Sequence, residues 1–159
     1  MTEPFAITVA ESPGDIASAR ELFLEYAAWL GFSLCFQGFD QELATLPGKY
    51  ASPEGRLLLA RCDGVLAGCG ALRPLQASIC KMKRLYVRPD FRGRKLGLAL
   101  AERLIAEAKS IGYEFMRLDT VPSQMADANR MYRRLGFYEI PSYYHNPQPD
   151  VSYLELRLR

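Results

Sequence analysis

The sequence is poor in the residues that metals and disulfides need. It holds one histidine, His145, and four cysteines, Cys35, Cys62, Cys69 and Cys80, with no C-x-x-C pair among them. Such spacing suits neither a zinc site nor a disulfide framework, so reduced thiols in a cytoplasmic protein without metal are the expectation. Cys80 also lacks a neighbouring histidine that would make it a nucleophile. No run approaches the roughly 18–20 apolar residues of a membrane span. The start, Met1-Thr2-Glu3-Pro4-Phe5, has neither a basic nor an apolar signal region, which argues against secretion. Repeats, linkers and low-complexity tracts are missing too. With 159 residues, 49% of them hydrophobic and 24% charged, the chain is expected to form one soluble domain over residues 1–159.

Charge of one sign is scarce only locally. The net charge is +2, yet between positions 81 and 95 Lys81, Lys83, Arg84, Arg88, Arg92, Arg94 and Lys95 face a single acid, Asp90. A solvated basic face, a nucleic-acid track or an anion site would each explain this run. Only Tyr86 and Phe91 are interleaved as stacking aromatics, too few for a single-strand platform. The order of residues within the run favours the anion site. Leu85-Tyr86-Val87 reads as a buried strand that stops at Pro89, Arg92 to Lys95 form a basic, glycine-bearing turn, and Leu96 and Gly97 open a helix. A helix N-terminus offers unpaired N–H groups and the positive end of the helix dipole, a seat for phosphate. The turn is no P-loop, because no G-K-[ST] follows the glycines, and it lacks the G-x-G-x-x-G of dinucleotide sites.

Elsewhere, residues 5–9 alternate as a first strand. Ser12-Pro13-Gly14-Asp15 starts a helix, with Ser12 as N-cap and Pro13 at the first helical position, and Gly31 ends it. A short helix is expected at 41–46. The apolar runs 56–62 and 65–72 are joined by Asp63-Gly64, a hairpin signal. A strand at 78–87 leads into the turn. Leu96, Leu100, Leu104, Ile105 and Ala108 stripe the next helix, which Gly112 closes. A strand at 114–121, a helix at 123–135 stopped by Gly136, and strands at 137–140 and 151–158 complete a mixed α/β pattern.

The turn matches V-x-P-x-(F/Y)-R-G-x-x-(I/L)-G at Val87, Pro89, Phe91, Arg92, Gly93, Leu96 and Gly97. A second block, residues 128–137, is similar to A-x-x-L-Y-x-x-x-G-F. Together, in this strand–helix–strand–helix order, they resemble the GNAT superfamily of acetyl-CoA-dependent N-acetyltransferases, and the element order fits that family over nearly the whole chain. Segments 82–87, 116–120 and 144–147 are shared with a closer group whose substrate is not assured. The resemblance implies a GNAT-like α/β (α+β) fold: a mixed, mostly antiparallel sheet of about 6–7 strands, a splayed parallel pair in its middle, and flanking helices.

It also implies roles. Backbone N–H groups of Arg94, Lys95, Leu96 and Gly97 would cradle the CoA pyrophosphate, with Gly93 and Gly97 free of a Cβ that would obstruct it. Arg92, Arg94 and Lys95 would add charge. Leu85 and Val87, otherwise plain buried strand residues, would hydrogen-bond the pantetheine arm. Tyr132 would be the general acid that protonates the CoA thiolate, its alternative being a core tyrosine. The chain departs from the family at three positions. Lys95 replaces a usual glycine; a lysine can occupy a helical position, so this departure bears on the loop's fine geometry and not on its role. Met125 stands where many members have asparagine, for which Asn129 is the candidate replacement. Lys81 stands where relatives tend to have glutamate, so no general base is identified; Asp119, Glu139 and His145 are candidates without a favourite. The acceptor pocket is expected from residues 29–39, Phe32, Phe36 and Phe39 among them, with Arg73, Lys83, Tyr143 and Tyr144; Arg73 and Lys83 would suit a carboxylate or phosphate.

The expected activity is transfer of acetyl from acetyl-CoA to a primary amine of a small molecule or protein in a ternary complex. The alternatives are a non-catalytic acyl-CoA sensor and a nucleic-acid-binding module. No nucleic acid, membrane or metal partner is expected, and a homodimer is compatible with the sequence.

Overall fold

The computed structural model describes residues 5–31 and 38–159. In chain order it contains β1 (Phe5–Val9), α1 (Pro13–Leu30), α2 (Phe39–Ala44), β2 (Arg56–Cys62), β3 (Val65–Gln76), β4 (Ile79–Val87), α3 (Leu96–Ile111), β5 (Phe115–Thr120), α4 (Ala126–Arg134), β6 (Tyr138–Ile140) and β7 (Ser152–Arg157). Among the described residues seven strands form one sheet in the order β1-β2-β3-β4-β5-β7-β6. Every neighbouring pair is antiparallel except β4–β5, the parallel pair at the centre.

Local chemistry accounts for these elements. Ser12 Oγ accepts the Asp15 N–H at 3.1 Å, Pro13 opens α1, and Gly31 closes it at φ +75°. Asp63 and Gly64 both adopt positive φ, as a two-residue turn between β2 and β3 requires. The run Leu57-Leu58-Leu59-Ala60 is continuously apolar because both faces of the sheet are covered. Leu58 and Ala60 join Leu100 and Leu104 of α3 and Phe137 in one core. Leu57 and Leu59 join Leu22 and Phe23 of α1, Phe39 and Tyr50 in the other. On β3, Gly68 and Gly70 let α3 lie close: a Cβ at Gly70 would come within 3.0 Å of Leu104 Cδ1, and one at Gly68 within 2.7 Å of the Tyr86 carbonyl.

Three boundaries differ from the sequence expectation. β3 continues past Leu72 to Gln76, through a register irregularity near Pro74 that suits a residue without an N–H. The short helix lies at Phe39–Ala44, two residues earlier than expected. α4 starts at Ala126, not 123, because the N–H groups of Gln124 and Met125 turn back to the Val121 carbonyl. The Gln124 side-chain amide instead donates to the carbonyls of Trp29 (3.2 Å) and Leu30 (2.6 Å), tying the start of α4 to the end of α1.

Candidate functional site

The site is built on a defect in the sheet. β4 and β5 pair at Ile79–Phe115, Cys80–Met116 and Lys81–Arg117, and beyond that the strands part. β4 is also bulged: Lys83 lies opposite Ala71 while Tyr86 lies opposite Cys69, and Arg84 sits at φ +61°. Cys80 and Met82 pack toward α3, whereas Arg84 reaches Glu42 of α2 and lies against the Tyr26 and Phe39 rings. The bulge thus sends Arg84 to the side of the sheet occupied by α1 and α2. The wedge between the strands opens into two cavities that share Trp29, Leu85, Met125 and Ala128.

The larger cavity, about 440 Å³, runs along β4 from Leu85 to Val87 and ends at the start of α3. Leu85, Val87, Arg92, Gly93, Lys95, Leu96 and Gly97 all line it, opposite Met125, Ala128 and Met131. No side chain caps α3. Its first turn bonds with Ala99 N–H to the Lys95 carbonyl at 3.0 Å, which leaves the N–H groups before it facing the cavity mouth. Gly93 is left-handed at φ +82°. Lys95 at φ +63° is the N-cap of α3, in the left-handed conformation that a glycine adopts freely. The geometry fits an extended ligand with a phosphate at its end: a Cβ on Gly97 would project past Val87 Cγ2, 3.8 Å away, with no other atom within 4 Å among the described residues.

The cations do not all face this mouth. Arg92 Nε donates to the Val87 carbonyl at 2.9 Å, and its guanidinium lies over the Trp29 and Tyr86 rings. Arg94 lies against Phe91. Arg88 is paired with Glu25 at 2.7 Å and Glu21 at 3.3 Å, Arg84 with Glu42 at 2.9 Å, and Lys81 with Asp119 at 2.8 Å. Lys81, Arg84 and Arg88 are thus neutralised from within, while Lys83, Arg92, Arg94 and Lys95 have no acid partner among the described residues.

The smaller cavity, about 100 Å³, lies beyond the shared wall, lined by Tyr26, Lys81, Lys83, Arg84, Asp119 and Tyr132 among others. Tyr132 is 7% exposed, packs edge-on against Phe137, and makes no side-chain hydrogen bond among the described residues. Burial holds its phenol above the usual tyrosine pKa, so it stays protonated at neutral pH. Asp119 is engaged twice, by Lys81 and by the Tyr144 hydroxyl, while Lys81 Nζ also lies 4.3 Å from the centre of the Tyr144 ring. Tyr143 and Tyr144 back this wall but do not line the cavity, and Arg73 opens on a separate hollow beside Tyr50. Phe32, Phe36 and Cys35 lie outside the described residues. Glu139 is exposed and paired with Arg133, and His145 is exposed, so neither meets the cavity. Asn129 lines neither cavity, and its Oδ1 is buried without a partner among the described residues. Met125 does line both, its sulfur accepting the Thr120 hydroxyl at 3.6 Å. The sequence reading missed Gln124 and the Lys81–Asp119 pair; it placed Trp29 at the acceptor pocket, and the structure sets it in the wall both cavities share. Only that pair left a trace in the sequence, as a cation and an acid on two strands expected to neighbour each other.

A sheet split at one parallel pair, with an uncapped helix start at one end and a buried tyrosine at the other, is the architecture of an acyl-CoA transferase. The acetyltransferase (GNAT) family profile matches residues 20–137. An uncharacterized N-acetyltransferase of Schizosaccharomyces pombe is 40% identical over 155 residues, spanning 96% of this chain and 94% of its own. Among solved structures, one assigned as an acyl-CoA N-acyltransferase from Klebsiella pneumoniae covers 99% of this chain and 100% of its own, with TM-score 0.78 and 26% identity. The acetyltransferase yncA of Salmonella typhimurium, solved with its cofactor acetyl-CoA, covers 98% of this chain and 95% of its own, with TM-score 0.67 and 22% identity. The chain belongs to the GNAT family of N-acetyltransferases, whose acyl donor is acetyl-CoA.

Proposed function

We propose that this chain, as one catalytic domain over residues 1–159 acting in the cytoplasm, transfers acetyl directly from acetyl-CoA to the primary amine of a small molecule or peptide. The observation that carries this is the continuity of the two cavities: the uncapped α3 terminus and Tyr132 are reached through one wedge, meeting at Leu85 and Met125. The pyrophosphate lies against the N–H groups of Arg94 to Gly97, and the pantetheine arm follows Leu85 and Val87 in place of the missing sheet neighbour. The free-base amine nitrogen attacks the thioester carbonyl, a C–N bond forms, the C–S bond breaks, the departing sulfur takes the Tyr132 proton, and the proton shed by the nitrogen restores the phenol. Burial keeps the phenol loaded at working pH and makes it a weaker acid, so the proton moves only as charge develops on the departing sulfur.

Tyr132→Phe keeps the ring against Phe137 and removes only the proton. The expected result is a fall in kcat of about 100-fold or more, with the acetyl-CoA dissociation constant unchanged. Turnover within twofold of the parent overturns the role of Tyr132. A parent protein that binds acetyl-CoA but transfers acetyl to no amine is the sensor instead.

A further inference from the structure

The smaller cavity contains an unbalanced charge. Four charged side chains line it: Lys81, Lys83, Arg84 and Asp119. Lys81 is committed to Asp119 at 2.8 Å, and Arg84 grips Glu42 through both Nε (2.9 Å) and Nη2 (3.0 Å). Glu42 and Asp119 are thereby used. Lys83, partly buried between these two pairs, has no ion-pair or hydrogen-bond partner among the described residues, and residues 32–37 contain no acid. Arg73 on the neighbouring strand adds a further positive charge on the same side. The rest of the lining carries no charge and joins apolar residues such as Leu30, Met82, Leu118, Val121 and Val151 to the neutral polar Thr120, Asn146 and Gln148.

Resting on the acetyltransferase reading, we propose that the acceptor is a small amine carrying a carboxylate, an amino acid or a close analogue, and that Lys83 selects it by pairing with that carboxylate. The amine must reach the acyl group where the two cavities meet, at Leu85. Lys83 lies two positions back along the same strand, about 7 Å in a regular strand and less across a bulge, which is the separation of an amine and a nearby acid bridged by a lysine side chain. A bare alkylammonium would enter among Lys81, Lys83 and Arg84 with nothing to pair with. A carboxylate restores balance and lets Lys83 hold a full charge. In its absence burial, then the fields of Arg84 and Lys81, push the Lys83 ammonium down to about 7. The cavity volume of about 100 Å³ suits a compact acid rather than a folded protein surface.

The test compares matched acceptors that share an amine: the proteinogenic amino acids against their primary amides, with simple alkylamines as a third series. CoA release and acetyl-CoA binding are measured in parallel. At least one amino acid is expected to exceed its amide by tenfold or more in kcat/KM. Lys83→Met should raise KM for that acid at least tenfold while leaving the KM of the amide and the binding of acetyl-CoA unchanged, and Lys83→Arg should restore the preference. If Lys83 is merely structural, Lys83→Met raises both KM values and weakens acetyl-CoA binding together. Amides or alkylamines acetylated as well as the acids overturn this proposal and uphold the acetyltransferase. Failure to bind acetyl-CoA overturns the reading beneath it. Binding of acetyl-CoA with no turnover of any series overturns the carboxylate acceptor and leaves the donor site standing.

Discussion

Gly97→Ala separates what the fold needs from what the donor needs. Gly97 is the second residue of α3, where a glycine costs roughly 0.5–1 kcal/mol relative to alanine. The structure has room for the methyl, since its single neighbour within 4 Å among the described residues is Val87 Cγ2 at 3.8 Å. The folded protein without ligand should therefore gain about 0.5–1 kcal/mol, or roughly 1–4 °C in Tm for a chain of this size. The same methyl projects into the mouth where a pyrophosphate would approach the helix N–H groups. A tenfold loss of affinity corresponds to about 1.4 kcal/mol. At an acetyl-CoA concentration of about 100 parental dissociation constants, the stabilisation by ligand should drop from about 2.7 to about 1.4 kcal/mol. Thermal unfolding of both proteins with and without acetyl-CoA reads the two effects in opposite directions. A variant that is more stable alone yet gains as much from acetyl-CoA as the parent would show that the phosphates do not lie against Gly97. A variant less stable alone would show that the α3 start is packed more tightly than described.

Gly68→Ala should act oppositely, because its Cβ would meet the Tyr86 carbonyl at 2.7 Å and force backbone to move. A loss of about 1–3 kcal/mol in chemical denaturation is expected, and an unchanged midpoint would refute the close approach of β3 to β4. Lys83 should leave a pH signature. Its pKa is held near 7 in the fold and is 10.5 when free, so the unfolded chain binds more protons between those values and the stability contributed by this residue rises with pH across that window. Below about pH 7 the penalty of the buried charge is fully present. Lys83→Met should therefore raise Tm most at about pH 6 and progressively less toward pH 10. A gain that does not vary with pH would mean that Lys83 is solvated.

Much of the scaffold was legible because local chemistry decides it. Ser12, Pro13 and Gly31 bound α1, Asp63-Gly64 makes its turn, and the stripe from Leu96 to Ala108 faces the sheet. The order of elements followed from periodicity and turn signals, and the GNAT likeness with its mixed sheet and one parallel pair followed from two motif blocks, one running from β4 to α3 and the other from α4 toward β6. What was not legible depends on contacts distant in sequence. Residues 123–125 look helical by composition, but Gln124 has acceptors 94 and 95 residues away at Leu30 and Trp29. Arg92 reads as a free phosphate ligand, yet the Val87 carbonyl and two aromatic faces lie within its reach. Lys81 reads as the loss of an acid. The fold sets it against Asp119, so the charge missing from β4 is supplied by β5.

Backbone strain follows the same division. Asp63 is at positive φ because a hairpin turn requires it. Arg84 and Lys95 have no such local reason, and each pays a left-handed cost of roughly 1–2 kcal/mol that alternation or helix propensity alone would avoid. Both lie on the wedge. At Arg84 the bulge turns a second consecutive cation toward the smaller cavity before pairing with β3 resumes at Tyr86; at Lys95 the left-handed N-cap stands at the larger cavity, where no side chain caps α3. Neither is explained by the stability of the sheet or the helix in which it sits. Under the proposed acyl transfer, each stands where the wedge would hold a ligand, Arg84 at the smaller cavity and Lys95 at the larger.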